Sequence, residues 1–512
     1  MWSTVTLLVT VLVILLVRMC RKPSGFPPGP GVVPVLGSIP FMLPDATKAF
    51  QNWQKKFGNI VGMKMFNTWC IILYDTSIIK EALGSHAFSD RSNFPLFLIR
   101  NEMITGGSEE PLGILSTNGD TWKTQRRFTL RTLKDFGFGK QSLEPIIREE
   151  LEELMADLTL QEGQKVQVKS LFDRSIINVL WATVTGKRFS LADTRLVKLS
   201  NKVSSMMQNF KPFHPAFRWR WVRKFFPNLK IFKITEGYIV DILGFIEEEL
   251  ESFQEKLNSG CEVSRNSFVG AYLQEMKAAI EEKESDEEGE GCVNHSLLHI
   301  HHLKAIVVEL FIGGSDTTSS TLGWAIYLLA SNPEIQQRVQ EELDRVMGGG
   351  KSLTLQDMSS VPYTMATIYE VQRVADIFPL GVPRLTNQTT TLQGHTIPKS
   401  TVVFVNMTWC LRNPDLWQFP DKFYPQHFLT PEGTLRKHEY FLPFGTGKRV
   451  CLGESLARLQ LFLFFTTLVH RFSWRLTDDP VVFKTKGITN APPDCSVFAT
   501  KRNLPDQETL EA

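Results

Sequence analysis

Apolar residues recur at helical spacing along most of the chain, and this pattern predicts a mainly α protein with small β-sheets. The first apolar run, Trp2 to Val17, carries no charged residue. It reaches ~24 Å, or ~28 Å with Met19 and Cys20 counted and Arg18 snorkelling, against a hydrocarbon core of ~30 Å. No basic region precedes it and no small-residue cleavage site follows, which predicts an uncleaved transmembrane helix over residues 2–20 rather than a removed signal. Arg18, Arg21 and Lys22 follow that run. By the positive-inside rule the N-terminus is then lumenal and the bulk of the chain cytosolic. Residues 21–45 contain PSGFPPGPGVVPVLGSIP from Pro23 to Pro40, a composition that predicts a stiff, extended hinge.

Farther on, IVGMKMF and WCIILY between Ile60 and Tyr74 read as two strands split at Asn67-Thr68, a hairpin. Short β pieces return near Leu392–Val405 and Val481–Thr500. Leu303 to Ala330 is a long apolar helix with GGSDTTSS at its centre. Each glycine there costs ~1 kcal/mol, so the adjacent pair Gly313 and Gly314 predicts that something needs the space. Thr317 follows Gly313 by one turn and can bond its carbonyl, opening the helix locally.

With 512 residues, 43% of them hydrophobic, the chain has ample material for a core, and length alone allows two or three domains. A net charge of +2 argues neither for nor against nucleic acid as a bulk partner. The seven cysteines, at 20, 70, 261, 292, 410, 451 and 495, form no CxxC pair, which suits a reducing compartment better than a disulfide framework. Phe210 to Lys233 mixes aromatic with basic residues and has no acid. Such a surface fits anionic lipid beside an anchor better than nucleic acid, and packing of the aromatics into the core remains a further reading. Glu281 to Glu290 reads as a solvated loop without a function. His295 and His299 share a helical face near His301 and His302, but no acid or cysteine completes a zinc site.

The chemistry concentrates at FGTGKRVCLG, residues 444–453. A thiolate at Cys451 is a soft metal ligand, favoured by neighbouring Lys448 and Arg449 and by the start of the helix that follows. The glycines allow close approach of a flat ligand. Taken alone, a single cysteine is more often a small core hydrophobe. The ten-residue context, however, resembles the haem-binding signature of the cytochrome P450 family, matched at Phe444, Gly447, Arg449, Cys451 and Gly453.

Three further motifs follow that family's order. Trp122 and Arg126 resemble its WxxxR pair, implied to contact a haem propionate, as is Arg384. Gly313, Gly314, Asp316, Thr317 and Thr318 resemble its oxygen-activation motif, in which Thr317 is implied to bind dioxygen and Asp316 to help deliver protons. Glu370 and Arg373 resemble its structural ExxR pair. His427 stands where many relatives carry Arg, beside matching Pro425 and Phe428. The resemblance implies that Cys451 is the axial ligand of the iron of haem b, with Arg449, Phe444 and Gly445 also at the cofactor. It places Phe311, Gly313, Leu380, Val382 and Ile488 around the substrate, with Glu309 and Asn490 as candidate polar anchors.

The implied protein is a haem-thiolate monooxygenase, its catalytic domain at 46–512, acting on a lipophilic xenobiotic, fatty acid, steroid or terpenoid. Electrons are expected from NADPH through the flavins of NADPH-cytochrome P450 reductase, with cytochrome b5 as a further option, since no dinucleotide fingerprint is present here. Lys448 is a candidate for the docking surface. The expected setting is the endoplasmic reticulum membrane, the catalytic domain on its cytosolic face. A reductase-independent isomerase and a non-catalytic haem-binding membrane protein remain alternatives. Asn294, Asn387 and Asn406 lie in glycosylation sequons, and glycans there would reverse the orientation.

Overall fold

The computed structural model describes residues 2–92, 94–190, 193–210, 214–217, 220–258, 267–285, 298–348, 352–483 and 487–504. Its helices begin with α1 Trp2–Cys20, α2 Ala46–Phe57, α3 Thr76–Gly84, α4 Pro95–Thr105, α5 Gly119–Asp135 and α6 Glu144–Leu160. They continue with α7 Asp173–Thr185, α8 Thr194–Asn209, α9 Arg220–Phe225, α10 Lys230–Asn258 and α11 Phe268–Ser285. The last are α12 Ile300–Ser331, α13 Pro333–Met347, α14 Pro362–Ala375, α15 Met407–Arg412 and α16 Glu454–Arg471. The strands are β1 Ile60–Met65, β2 Thr68–Leu73, β3 Val166–Gln167, β4 Arg384–Leu385, β5 Thr390–Leu392, β6 His395–Ile397, β7 Val402–Val405, β8 Phe472–Leu476 and β9 Ser496–Lys501.

The chain divides into two compact units, where the sequence suggested one catalytic body from residue 46. The first comprises Met1–Ser92, Phe378–Pro420 and Glu439–Cys451. It is built on a sheet of order β1-β2-β7-β4. The predicted hairpin pairs Ile60 with Leu73 through to Met65 with Thr68. Its turn falls at Phe66-Asn67, one residue earlier than expected, with Phe66 in the left-handed region at φ 53°. Both faces of the sheet are covered, as alternation along a strand requires. Ile71, Leu73, Val403 and Val405 pack with Phe26 and Phe88 on one side. Cys70, Ile72 and Phe404 pack with Phe50 and Trp53 on the other.

The Pro/Gly-rich segment is not the free hinge that its composition suggested. Phe26 is buried in the core of the first unit. Gly62 N donates to Pro28 O at 2.8 Å, and Ser38 N to Lys64 O at 2.6 Å. The outer edge of β1 has backbone groups to satisfy, and this segment satisfies them. A Cβ on Gly29 would lie 1.8 Å from Gly62 O, so only glycine permits the approach. The helix expected over 2–20 forms as α1, with Leu7, Leu8, Leu12 and Val17 exposed. Among the described residues no helix is long and apolar enough to cross a membrane.

The second unit comprises Asn93–Ile377, Asp421–His438 and Leu452–Ala512. Its centre is α12, 32 residues long and buried along most of its length, packed against α7, α8, α14 and α16. A helix apolar on nearly every face belongs in the middle of a core. The antiparallel sheet β3-β9-β8 lies in the same unit.

Here the ExxR pair is fully buried. Arg373 donates to Glu370 through Nε at 2.8 Å and through a terminal nitrogen at 2.7 Å, and the same nitrogen reaches Lys422 O at 2.7 Å. Glu370 Oε1 also accepts from Tyr424 N at 2.8 Å, and His427 Nδ1 lies 3.2 Å from each carboxylate oxygen. His427 therefore completes the cluster in spite of its departure from the arginine pattern. Replacing Arg373 by Ala would strand the Glu370 carboxylate without water or a guanidinium, at a cost of about 3–5 kcal/mol. The expected result is a matching fall in the denaturant midpoint free energy; an unchanged midpoint would remove the pair's structural role.

Candidate functional site

In the first unit the Cys451 loop is fixed by backbone contacts. Cys451 N donates to Phe444 O at 3.0 Å and Gly445 N to Leu442 O at 2.9 Å. Gly447 sits at φ +74°, and a Cβ there would meet Leu83 O at 2.0 Å. The loop thus lies directly on the last turn of α3. Arg449 is buried and donates through Nε to Ser89 O at 2.9 Å. Two residues on, Arg91 donates to Pro383 O at 2.8 Å and also to Val382 O, next to buried Arg384. Leu385 N donates to Asp90 O at 2.7 Å. Segment 89–91 therefore ties Arg449 and Arg384 to one strip of the unit. Cys451, by contrast, is exposed, and a Cβ on Gly445 (φ +72°) would meet nothing within 4 Å.

A presented thiol, open space beside it and two buried guanidiniums form a donor set that fits a metalloporphyrin with carboxylate arms. Leu380 packs beneath the sheet, and Val382 is at the surface.

The second unit holds Gly313 to Thr318, the stretch that resembles the oxygen-activation motif. α12 stays helical through Gly313 and Gly314 instead of opening. Thr317 Oγ1 donates to Gly313 O at 2.8 Å, the bond expected from their spacing. Gly313 is exposed between half-buried Ile312 and Gly314, and a Cβ on it would meet nothing within 4 Å. The space anticipated from the glycine pair is present. Asp316 is directed into the protein instead, where Thr489 Oγ1 donates to its Oδ2 at 2.9 Å. Burial pushes its carboxyl up to about 6, against hydrogen bonds from Thr489 and Ser204 that pull it down. Trp122 is buried and Arg126 half-buried, one turn apart on α5.

Several expected pocket residues lie elsewhere. Phe311 is on the opposite side of α12 from Gly313, its ring 5.8 Å from Trp181 and 6.4 Å from Phe245 in a buried aromatic cluster. Glu309 is not a polar anchor. It pairs with buried Arg100 at 2.6 Å and accepts from Ile114 N and Leu115 N at 2.6 and 3.0 Å. Asn490 is also committed, donating to Ala375 O at 3.1 Å and accepting from Trp324 Nε1 at 3.0 Å through its carbonyl. Ile488 is half-buried, its N–H donating to Met207 O at 3.0 Å.

Of the histidine cluster, His295 lies outside the described residues. His302 accepts from Gly113 N at 3.1 Å, and burial pushes its pKa down to about 3. Asn406 is buried and caps α15, so it is closed to glycosylation; Asn294 lies outside the described residues. Residue spacing missed two groups, the Arg100–Glu309 ion pair and Asp173. Asp173 accepts from the Ser319 hydroxyl close to Asp316.

The profile of the family described as Cytochrome P450 matches residues 27–497. Human cytochrome P450 2J2 is 34% identical over 89% of this chain and 87% of its own. Mouse cytochrome P450 2B9 is 34% identical over 98% of this chain and 99% of its own. A pig protein named vitamin D(3) 25-hydroxylase is 33% identical over 96% and 93%.

A carboxyl held more tightly protonated in the folded chain stabilises it at low pH. For Asp316 that advantage is lost as pH rises from its ordinary 3.8 to about 6. An Asp316→Asn variant, which never ionises, should therefore gain stability relative to the parent across that window and stay level with it below. Thermal unfolding of both at stepped pH checks this; a difference independent of pH would contradict it.

Proposed function

The chain belongs to the cytochrome P450 family, and on that basis we propose that it is a membrane-bound haem-thiolate monooxygenase of lipophilic small molecules, fed with electrons from NADPH by a separate flavoprotein reductase. It is a monooxygenase whose cofactor is haem b. The observation that carries the site assignment is the exposed Cys451 thiol, presented by a loop that Gly447 and Arg449 hold to the fold. Bound haem supplies the iron chemistry of dioxygen activation, which thiolate ligation favours by pushing electron density to the metal.

The protein's part is holding and proton delivery. In the first unit Arg449 and Arg384 offer charge-assisted hydrogen bonds for the carboxylate arms, and in the second Trp122 and Arg126 carry the family pattern for the same role. Thr317 and Gly313 face the space where substrate and dioxygen meet. Each turnover takes two electrons and two protons, puts one oxygen atom into substrate and releases the other as water. Asp316 is suited to handling those protons, because its carboxyl exchanges them near neutral pH. Apolar Leu380, Val382 and Ile488 favour a lipophilic substrate, in keeping with a relative named for hydroxylating vitamin D(3).

Two surfaces support membrane attachment at the endoplasmic reticulum. One is α1, without an acidic residue and with its aliphatic side chains exposed. The other is the patch of Trp221, Phe225, Phe226 and Leu229, exposed beside Lys224 and Lys230.

Replacement of Cys451 by Ala should abolish the ferrous–carbon monoxide absorption of the thiolate complex and NADPH-dependent turnover with reductase. Retention of both would overturn the assignment, and turnover without NADPH would favour an isomerase. Carbonate extraction should release the protein from microsomes only when α1 is deleted and Trp221, Phe225 and Phe226 are changed to Ser; release of the parent would exclude an integral anchor.

A further inference from the structure

A second buried carboxyl lies beside Asp316 and has no part in the site so far. Asp173, at the start of α7, accepts from the Ser319 hydroxyl of α12 and from Ser200 of α8. Ser319 is one turn beyond Asp316 on the same face of α12. Asp316 in turn is bonded by Ser204, one turn beyond Ser200 on α8. Two carboxyls and three serine hydroxyls thus form a polar seam where α7, α8 and α12 meet.

Groups of this kind are costly to bury. The seam also has an outlet. Asp173 and Ser200 line a cavity of about 410 Å³ together with Asp157, Lys165, Gln167 and Arg174. Water entering this cavity meets Asp173 and Ser200 in its lining. Of the charged groups nearby, Arg174 is paired with Asp157 at 3.4 Å and Lys165 with Asp479 at 2.7 Å. Lys169 acts on both carboxyls, its Nζ donating to Gln208 at 2.7 Å.

We propose that Asp173 is the proton feeder for Asp316, linking the surface cavity to this buried acid of α12. The role rests on the reading of Asp316 as the proton-delivering acid. After Asp316 has released its proton and become a carboxylate, the O–H bond of Asp173 breaks toward the Ser319 hydroxyl. Ser319 gives its own proton on to Asp316, and the Asp173 carboxylate is recharged from cavity water. No electrons move in this sequence, and one proton enters from solvent for each one delivered. Burial raises the proton affinity of Asp173 above that of an ordinary carboxyl, the direction a proton donor requires. The negative charge of Asp173 raises the affinity of Asp316 for a proton, which disfavours ionisation of both carboxyls at once.

The test uses the full-length, haem-loaded protein with reductase in lipid. Asp173→Asn should lower turnover and product formed per NADPH by about 10-fold or more, the low end of what a positioned proton donor contributes. It should also enlarge the solvent deuterium isotope effect while leaving the substrate-binding spectral shift in place. Asp173→Glu, which keeps the carboxyl, should recover most of the loss. Ser319→Ala carries the same expectation at smaller size, and decides the matter if Asp173→Asn folds poorly.

A readout independent of turnover comes from the resting protein. Removing the charge at 173 should move the pH window in which Asp316→Asn gains stability to lower pH. Parent-like turnover and isotope effect in Asp173→Asn and Ser319→Ala, with Asp316→Asn impaired, would overturn the feeder and leave the Asp316 reading intact. Parent-like turnover in Asp316→Asn would overturn that reading itself. Equal loss in Asp173→Asn and Asp173→Glu, with an unmoved pH window, would reduce Asp173 to a packing role.

Discussion

A metal-binding thiolate has to be open on the side where the metal arrives, so its position must be set by everything except its own sulfur. In this chain that burden falls on the backbone of residues 444–451 and on the contacts that press the loop to the first unit. Gly447 is the tightest of them, because any Cβ would overlap the carbonyl of Leu83. The Arg449 bond to Ser89 O adds a second fixed point, and Arg91 ties the same short segment to Val382 and Pro383. The loop has little regular structure of its own beyond a turn at Gly447–Arg449, so these long-range contacts supply its rigidity. Two charged side chains are buried for that purpose, and each donates to backbone carbonyl oxygens there.

The second unit solves a related problem with one helix. α12 has to bury most of its circumference and still keep one gap. The gap comes from Gly313, and the helix survives it because surrounding apolar residues pack against α7, α14 and α16. Its faces are thereby specialised. Gly313 and Thr317 look toward open space, Phe311 packs into aromatic rings, and Asp316 and Ser319 enter the polar seam. Glu309 faces the 112–116 loop, with Arg100 holding that loop and the helix together.

What the sequence made legible was chemistry carried by short spacing. The cysteine loop, the Thr317–Gly313 bond, the ExxR pair and the β1–β2 hairpin all join residues close in the chain, so pattern alone placed them. Roles set by distant partners were not legible. The proline-rich stretch has the composition of a linker, and only the unpaired edge of β1 turns it into part of a sheet layer. Glu309 and Asn490 read as candidate anchors because their partners, Arg100 and Trp324, are far off in the chain. Phe311 was placed by family position, whereas the helical angle from Gly313 already puts it on the other side. Asp173 carried no local signal, since it gains meaning only where α7 crosses α12.

The hydroxyl of Thr317 shows how helix stability and function constrain each other. Its proton is committed to the Gly313 carbonyl, one of a series of such bonds along α12 with Ser315 to Phe311 and Thr321 to Thr317. Each of them gives a buried or crowded hydroxyl an acceptor without breaking the helix. With its donor occupied, Thr317 presents lone pairs to the open space, so in the resting state it selects for a group that donates. To act as a donor itself it must first exchange the Gly313 carbonyl for another acceptor, and the absence of a side chain at 313 leaves room for that rotation. The glycine therefore serves twice, once by leaving open space beside the helix and once as the acceptor that sets the hydroxyl's direction.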